Sequence, residues 1–395
     1  MEVESNGAQL QSLLRLNAGH LHLVGICGIG MAGLAVLLAK RGFRVTGCDA
    51  ALNSLADWLR VRGIDVKAGH GPAHLDSDLV GIIRSAAVPE TTPELLAATA
   101  RRLPVFRRGE VLPALLEGYF SIAVAGTHGK TTTTAFITQL LRAGGHDPAF
   151  CIGGEVSALG GVAAAGRSGI LVVEADESDG TLVHYAPDIA VVTNIEFDHM
   201  EHFADVQAFE NCFQTFIGRA RQRVVYGADD LRAVRLCGSA PHRRGFGLGE
   251  QSEVKAVRVN LGQTGSKFIL VRNGKEEGEL QVSAPGAHNV LNALAATTVA
   301  LDYGVSFEDI RKGLAAVQLP HRRFEKVVDR REVTVISDYA HHPSEVAAFV
   351  RAAHRLNFRR CRAIFQPHRY TRTLALGANF PPAFQGLDEV VLAPR

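Results

Sequence analysis

Segment 126–131 combines two glycines, a lysine and a hydroxyl in a spacing that suits phosphate chemistry. It lies between the apolar run 121–126 and the threonines of 131–134, whose continuation has an apolar helical face. A strand–loop–helix turn of this kind directs backbone N–H groups at phosphate oxygens, while the lysine neutralises charge and the hydroxyl binds Mg²⁺. A usual phosphate loop has a glycine where this chain has Val124, so we predict a shortened ATP-binding loop. The predicted residues are Gly126, Thr127, His128, Gly129, Lys130, Thr131 and Thr132.

Carboxylates follow the next two apolar runs, 169–173 and 189–193. Acidic side chains beyond the ends of parallel strands gather in the crevice above the sheet, where Mg²⁺ and phosphates bind. Glu174 and His199 lie nearest to their strand ends and are the predicted metal ligands. We expect Asp179 and Glu196 to be solvated loop acids.

The last third of the chain supplies further polar groups. His288 and Asn289 begin a predicted helix after Pro285-Gly286, and either could be its cap or a ligand contact. Region 321–372 contains twelve Lys and Arg residues against five Asp and Glu, which indicates a solvated face or an anion site. The end of this region predicts a strand at 332–343, a helix at 344–356 and a strand at 362–372. Arg369 and Arg372 come at the far end of the last strand, where guanidinium groups could hold a carboxylate or phosphate.

A second glycine turn lies near the N-terminus. Gly28, Gly30 and Gly33 follow a predicted strand at 21–26, and Asp49 ends the next predicted strand. This spacing suits a dinucleotide, with the carboxylate on a ribose, and it suits the diphosphate of a sugar nucleotide equally well. A structural turn without a ligand is the remaining alternative.

These residues need a framework of parallel sheets, and the composition permits one. The chain has 395 residues, 47% of them hydrophobic and 21% charged, which predicts a globular protein of two or three domains. A net charge of +2 argues against a nucleic-acid partner. The charge-free stretch 23–39 is slightly shorter than the roughly 20 residues of a membrane span, and its glycines favour a soluble turn and helix. Six scattered cysteines suit reduced thiols in the cytoplasm.

Taken together, the motifs resemble those of the Mur ligases of peptidoglycan synthesis. The resemblance extends from about residue 20 to the last residue and is carried by eight ordered segments: the glycine turn from Gly25, GTHGKTTTT, EADESD, TNIEFDHM, GAHNVLNALAA, HRRFE, DYAHHPSE and FQPHRYTRT. It implies an α/β protein of three domains: a Rossmann-like domain for a UDP-sugar at 1–107, a central ATP-binding domain with a parallel sheet at 108–318, and part of a Rossmann-like domain for the amino acid at 319–395.

The resemblance also implies a reaction. ATP would phosphorylate the lactyl carboxylate of UDP-N-acetylmuramate, and the amino group of L-alanine would attack the acyl phosphate to form an amide. Phosphoryl transfer depends on positioning and charge neutralisation, so lysine and metal matter most.

The same resemblance assigns roles to residues. Lys130 would neutralise the transferred phosphate, and Thr131 would hold one Mg²⁺. Glu174 and His199 would hold a second ion. ATP would also contact His288, Asn289, Asn292, Arg323 and Asp338. The amino acid and acyl phosphate would meet Tyr339, His341, Arg369 and Arg372, and the UDP-sugar would bind at Gly28, Gly30, Asp49 and Ser85.

Two departures from the family pattern carry expectations. The family usually has glycine at the position of Cys27, so a positive φ there would cost about 1 kcal/mol and weaken UDP binding. The family's C-terminal domain normally continues beyond segment 388–394, so the sequence is either a fragment or a shortened chain. If these 395 residues are the whole polypeptide, we expect weak or absent ligation.

Alternative functions stay open at this point. The chain could attach a whole peptide to the same UDP-sugar, although HRYTRT and DYAHHP favour the alanine-adding reaction. It could also be an inactive relative or an NAD-type sensor, and the intact Lys130, Thr131, Glu174 and His199 argue against the inactive relative. The expected state is a cytoplasmic monomer or homodimer.

Overall fold

The computed structural model describes residues 6–330 and 332–394, and it begins with a five-stranded parallel sheet. Strand order is β3-β2-β1-β4-β5, with the first strand in the middle. The strands are β1 (His20–Val24), β2 (Arg44–Asp49), β3 (Asp65–Ala68), β4 (Leu79–Arg84) and β5 (Val105–Arg107). The helices are α1 (Asn6–Leu16), α2 (Ile29–Lys40), α3 (Ser54–Arg60), α4 (Pro93–Ala100) and α5 (Arg108–Ala114), with a 3₁₀ turn at Pro72–His74.

Segment 23–39 lies inside this first unit. Its first part ends strand β1, and its second part forms helix α2, whose residues 31–38 are all buried. Among the described residues, no helix has the length and apolar character that a bilayer crossing requires. The predicted turn and helix at this place are confirmed.

A ten-stranded sheet forms the middle of the chain. Its order is β15-β14-β13-β12-β11-β10-β6-β9-β7-β8, and the seven strands from β13 to β7 in this order are parallel. The strands are β6 (Phe120–Ala125), β7 (Ala149–Val156), β8 (Gly161–Ala164), β9 (Ile170–Glu174), β10 (Ile189–Val192), β11 (Arg223–Gly227), β12 (Arg243–Gly247), β13 (Val254–Leu261), β14 (Ser266–Arg272) and β15 (Lys275–Val282). The helices are α6 (Lys130–Ala143), α7 (Val206–Gly218), α8 (Leu231–Cys237), α9 (Ala287–Tyr303) and α10 (Phe307–Ala316), with 3₁₀ turns at Ser157–Leu159 and Thr181–His184.

Helix α6 shows why the loop before it is held firmly. Its apolar face, with Phe136, Ile137, Leu140 and Leu141, is completely buried in the core that α6 shares with α9. Side chains that recur every three or four residues share one helix face, and burial of that face fixes the helix on the sheet. The helix N-terminus therefore lies above the carboxyl ends of β6, β9 and β10, where the predicted polar residues follow.

The C-terminal unit differs from the expected strand–helix–strand sheet. Strands β16 (Glu325–Arg330) and β17 (Val333–Ser337) form one antiparallel pair, and β18 (Arg362–Phe365) and β19 (Glu389–Leu392) form a separate parallel pair. Helices α11 (Pro343–His354), α12 (Tyr370–Leu376) and α13 (Phe380–Ala383) accompany them, with a 3₁₀ turn at Gly377–Asn379. The tail of the predicted last strand is thus wrong, since residues 370–372 begin helix α12.

Candidate active site

The shortened phosphate loop adopts the predicted conformation between β6 and α6. Gly126 and Gly129 have φ of 133° and 81°, which only glycine adopts readily. A Cβ at Gly126 would lie 2.0 Å from Oγ1 of Thr193, so the strand end leaves no room for a side chain. The side chain of Asn194 accepts from the N–H of His128 at 2.9 Å and donates to its carbonyl oxygen at 3.0 Å. Backbone and side-chain contacts together fix the loop.

Lys130 lies at the centre of a buried group of charges. Its Nζ donates to the Gly126 carbonyl oxygen at 2.6 Å and to Oε1 of Glu177 at 2.8 Å. Nε2 of His199 lies 3.4 Å from the same carboxylate oxygen. Burial lowers the pKa of Lys130, but the carboxylates of Glu177, Asp176 and Glu174 outweigh it, so the pKa is raised and the ammonium stays charged.

The sequence interpretation passed over Glu177 in favour of Glu174. Glu177 has no exposed surface, and it joins Lys130 to His199. Its position three residues beyond Glu174 in an acid-rich segment was the available signal, but spacing could not show which carboxylate turns towards the lysine.

Thr131 and Glu174 form an oxygen-rich group beside Lys130. The Thr131 hydroxyl donates to Oε1 of Glu174 at 3.1 Å, and the N–H of Gly153 donates to Oε2 at 2.8 Å. Burial raises the pKa of Glu174. In the described part of the chain, Oε2 of Glu177 is buried without a hydrogen-bond partner. A hydroxyl, carboxylates and one imidazole suit a hard divalent cation such as Mg²⁺, and a cation would satisfy the unpaired oxygen.

Two arginines of the C-terminal unit reach this group. Nη2 and Nε of Arg372 donate to the two oxygens of Asp198 at 2.7 and 3.1 Å, and both side chains are buried. Arg369 donates to Nδ1 of His199 at 3.2 Å and also contacts Glu201. His199 and Arg369 have φ of 60° and 66°, and such positive values in non-glycine residues cluster at functional sites.

A cleft of about 230 Å³ brings the loop, the acids and the arginines together. Tyr339 and His341 line its C-terminal side, and Thr127 lines the loop side. Nδ1 of His341 donates to the Tyr339 carbonyl oxygen at 2.8 Å. Burial lowers the pKa of His341 to about 4, so the imidazole is neutral and faces the cleft uncharged.

A neighbouring cavity of about 310 Å³ opens on the other side of the loop. Eight of the predicted ATP-binding residues line it together: His128, Gly129, Thr132, His288, Asn289, Asn292, Arg323 and Asp338. Neither His288 nor Asn289 caps the helix, since the N-cap of α9 is Gly286, with φ of 93°. Asn292 instead supports the loop, because its Oδ1 accepts from Thr133 at 3.2 Å and would lie 2.5 Å from a Cβ at Gly129. Burial and nearby Arg323 lower the pKa of His288 to about 4.

His128 connects the phosphate loop to the C-terminal unit. Its Nε2 donates to Glu196 at 2.9 Å, its Nδ1 lies 3.5 Å from Glu345, and Ser344 donates to both oxygens of Glu196 at 2.8 and 2.7 Å. Burial disfavours the charged imidazole, but the two carboxylates outweigh it and raise the pKa of His128 to about 9.

The expectation that Glu196 is a solvated loop acid is wrong, because its carboxylate accepts hydrogen bonds from His128 and from Ser344 of the C-terminal unit. Asp179 accepts from the N–H of Thr181 at 3.1 Å at the start of a 3₁₀ turn and does not line the cleft.

The N-terminal glycine turn is ordered by Asp49. Oδ2 of Asp49 accepts from the N–H of Cys27 at 2.9 Å. Gly25 has φ of 82°, and a Cβ there would lie 3.0 Å from Cβ of Ser85, which brings Ser85 to the turn. The expected strain at Cys27 is wrong, because Cys27 is not among the described residues of positive φ and packs in the core.

Arg108 links this turn to the cleft, and the sequence interpretation missed it. Its guanidinium lies 3.0 Å from the Cβ position of Gly30 and donates to Asp176 at 3.3 Å. Burial opposes its charge, but Asp176 outweighs burial and raises the pKa of Arg108. A partly buried cation therefore lies between the predicted sugar-nucleotide turn and the acids near Lys130. No local motif marks Arg108, because its partners are distant in sequence.

Three family models match consecutive parts of the chain. The Mur ligase family catalytic domain matches residues 20–120, the Mur ligase middle domain matches residues 124–300, and the Mur ligase glutamate ligase domain matches residues 322–395.

Curated relatives are similar over nearly the whole chain. A UDP-N-acetylmuramate–L-alanine ligase of Gloeobacter violaceus is 43% identical over 373 residues, which are 94% of this chain and 80% of the relative. An enzyme of the same name from Kineococcus radiotolerans is 42% identical over 395 residues, covering 98% and 83%.

Solved structures give the same picture. The UDP-N-acetylmuramate–alanine ligase MurC of Thermotoga maritima superimposes with a TM-score of 0.84 at 29% identity, covering 95% of this chain and 85% of that one. A murein peptide ligase of Psychrobacter arcticus has a TM-score of 0.76 at 25% identity, covering 95% and 91%.

Proposed function

The chain belongs to the Mur ligase family, and from that premise we propose that it joins L-alanine to UDP-N-acetylmuramate with conversion of ATP to ADP and phosphate. The observation that carries the proposal is that Lys130 and His199, joined through the buried Glu177, line a cleft that Arg369 and Arg372 reach from another unit. Relatives named UDP-N-acetylmuramate–L-alanine ligase, at about 40% identity over most of the chain, support the choice of substrates.

The reaction needs ATP because a carboxylate is a poor electrophile. A lactyl carboxylate oxygen attacks the γ-phosphorus, the bond to the β-phosphate oxygen breaks, and ADP leaves. The ammonium group of alanine loses one proton to the solvent, and the resulting amine attacks the acyl carbon. The C–O bond to phosphate then breaks, and the departing phosphate takes the second proton as the amide forms. Lys130 holds positive charge where the phosphoryl group passes, which stabilises the transition state electrostatically.

We assign the triphosphate to the loop and the remainder of ATP to the cavity beside it. Loop residues 126–132 offer the backbone N–H groups and Lys130. His288, Asn289, Asn292, Arg323 and Asp338 line the cavity and would contact the nucleotide. The neutral His288 accepts or donates a hydrogen bond without adding charge.

Mg²⁺ fits the oxygen donors near Lys130. Thr131 would hold one ion, and Glu174 with His199 would hold a second. Mg²⁺ supplies charge neutralisation between the phosphates and the carboxylate when it is bound. Glu174 and Thr131 already contact each other, so the chain brings these donors together before any ligand binds.

The other substrates would approach from opposite sides. Gly28, Gly30, Asp49 and Ser85 would hold the diphosphate and sugar-nucleotide at the first sheet, with Arg108 directed from there towards the cleft. Tyr339, His341, Arg369 and Arg372 would receive alanine and the acyl phosphate. The uncharged His341 does not repel the incoming ammonium group.

Transfer of a whole peptide is the rival reaction within the family. The murein peptide ligase superimposes less well than the alanine ligase, with a TM-score of 0.76 against 0.84.

We also propose unit boundaries near residues 107 and 318 and a monomer or homodimer. The proposed location is the cytoplasm, since all six cysteines are free thiols.

Phosphate release by the purified chain tests the proposal. The assay contains ATP, Mg²⁺ and UDP-N-acetylmuramate. Single amino acids are added in turn, and a tripeptide is added as the substrate of the rival reaction. We expect release to depend on L-alanine and to exceed release with glycine, serine or tripeptide. Release that depends on tripeptide alone, or that occurs equally without any amine, would contradict the proposed substrate.

A further inference from the structure

Four side chains with metal-binding atoms meet in the N-terminal unit, on a different sheet from the reaction cleft. Cys48 is on strand β2, His70 follows strand β3, His74 ends the 3₁₀ turn at Pro72–His74, and Glu94 is in the first turn of α4. None of the four lines the cleft or the neighbouring cavity. The proposed ligase reaction leaves them without a role.

Donor atoms of Cys48, His74 and Glu94 all lie within 4.8 Å of one another, and His70 approaches two of these three residues. Sγ of Cys48 lies 3.3 Å from Oε1 of Glu94 and 3.3 Å from Nδ1 of His70. Oε1 of Glu94 lies 3.1 Å from Nδ1 of His74 and 3.6 Å from Nδ1 of His70. Tetrahedral ligands at zinc bond lengths of about 2.0–2.3 Å are roughly 3.3–3.8 Å apart. The observed distances fall in or close to that range.

Hydrogen bonding within the cluster leaves one oxygen of Glu94 unsatisfied. Oε1 accepts from the N–H of Gly71 and is also approached by Cys48, His70 and His74. Oε2 is buried and has no hydrogen-bond partner among the described residues, and the side chain has no exposed surface. A buried carboxylate oxygen without a partner is costly, so the cluster lacks a positive or donating group.

A cation would also complete the chemistry of the cluster. It would compensate the buried carboxylate of Glu94, and it would displace the thiol proton of Cys48 to the solvent so that the sulfur binds as a thiolate.

We propose that Cys48, His70, His74 and Glu94 bind one divalent cation of the zinc class. A thiolate, two imidazoles and a carboxylate match the preference of zinc for nitrogen and sulfur ligands, whereas Mg²⁺ prefers oxygen alone. The imidazoles of His70 and His74 are 20% and 19% exposed, while Cys48 and Glu94 are fully buried. The histidine side therefore provides the entry path.

The site joins parts of the N-terminal unit that are otherwise separate in sequence. A cation there would fasten the segment after β3 and the start of α4 to strand β2. Cys48 directly precedes Asp49, which orders the glycine turn through the N–H of Cys27. Occupancy of the site therefore stabilises the first sheet and its turn.

Cobalt(II) spectroscopy on the full chain tests the site. The purified protein is stripped with a chelator and titrated with Co²⁺ in excess Mg²⁺, which occupies oxygen-rich sites. We expect one equivalent of Co²⁺ to produce thiolate-to-cobalt charge-transfer absorption and the visible bands of tetrahedral cobalt. The active-site cleft contains no cysteine among its described lining residues, so cobalt bound there cannot produce the charge-transfer signal.

Variants separate this cluster from other thiols. Cys48→Ala should abolish the absorption, and His74→Asn should weaken zinc binding at least about tenfold in competition with a chromogenic chelator. Cys361→Ala is the matched control, because Cys361 is the most exposed of the six cysteines, and it should bind as the unaltered chain does.

Thermal unfolding provides a second readout. Zinc should raise the midpoint temperature of the unaltered chain and of Cys361→Ala, but not of His74→Asn. Absence of the charge-transfer band in the unaltered chain would overturn the proposal. So would equal zinc affinity of His74→Asn and the unaltered chain, a measurement that does not require the Cys48 variant to fold.

Discussion

Two glycine loops in this protein share a strand–loop–helix backbone and differ in the side chains that surround them. Each follows a buried parallel strand and precedes a buried helix, and each contains a glycine of positive φ, Gly25 in one and Gly126 in the other. Beside the N-terminal loop, Asp49 at the end of β2 accepts from the backbone N–H groups of Cys27 and Ala51. In the central loop, Lys130 meets carboxylates from a different strand end and arginines from a different unit.

The difference teaches what a glycine loop can and cannot specify. Glycines let the backbone approach a phosphate, and both loops provide this. Chemistry depends on the side chains that surrounding elements bring to the loop. In the central loop, Glu177 contacts the lysine and His199 contacts Glu177, whereas the N-terminal loop has Arg108 as its nearby charge.

Removing the lysine should have the largest effect. We expect Lys130→Ala to lower kcat/KM for alanine ligation about 10³-fold, which corresponds to about 4 kcal/mol, because the passing phosphoryl group loses its charge partner. Binding of UDP-N-acetylmuramate, measured by calorimetry, should remain, since it belongs to the other loop. Lys312→Ala, an exposed lysine of α10, is the control. An unchanged rate for Lys130→Ala would remove the lysine from the mechanism.

Adding one methyl group to each loop should sharpen the contrast. At Gly126, φ is 133° and a Cβ would lie 2.0 Å from Thr193 Oγ1, so Gly126→Ala should cost about 3 kcal/mol of unfolding free energy. At Gly28, φ is −69° and the nearest atom would be 3.5 Å away, so Gly28→Ala should cost less than about 1 kcal/mol. Denaturant unfolding of both variants measures the difference. Equal losses would contradict the idea that the central loop is the more tightly enclosed.

The smallest expected effect is the change with pH in the stability that His128 of the central loop contributes. Because the pKa of His128 is raised from 6.5 to about 9, its charged form contributes stability that is complete below about pH 6.5 and is lost as pH rises through about 9. We expect a loss of about 2 kcal/mol between about pH 7 and pH 9.5. His128→Gln should flatten this slope in denaturant unfolding. Cys27→Ala should not, because burial raises the pKa of that thiol and keeps it neutral. A slope that survives His128→Gln would assign it to another group.

Periodic and local features of the sequence predicted most of the fold. The apolar run 121–126, the glycines and the face of Phe136 and Leu140 predicted strand β6, the loop and helix α6 correctly. The same reasoning correctly placed Glu174 and His199 near the loop, because the carboxyl ends of parallel strands meet at one edge.

Contacts between residues distant in sequence could not be predicted. Spacing gave no reason to choose Glu177 over Glu174 as the partner of Lys130, or to notice Arg108 at all. The C-terminal region was predicted least well, since residues 370–372 begin a helix and its strands form two separate pairs. Short strands that are exposed on one side have weak patterns, and tertiary pairing decides them.

The packing of α2 determines which parts of the molecule can articulate. Gly33 of α2 lies so close to β7 that a Cβ there would be 2.6 Å from Sγ of Cys151, and one apolar core runs without interruption from the first sheet into the second. The C-terminal unit has a small core of its own and reaches the rest through polar pairs such as Arg372 with Asp198 and Ser344 with Glu196. Water can replace the hydrogen-bond partners at a polar interface, but it cannot replace the contacts of a dry, closely packed apolar interface. Substrate binding and product release should therefore involve a hinge near residue 319, while the first two sheets move together as one rigid body.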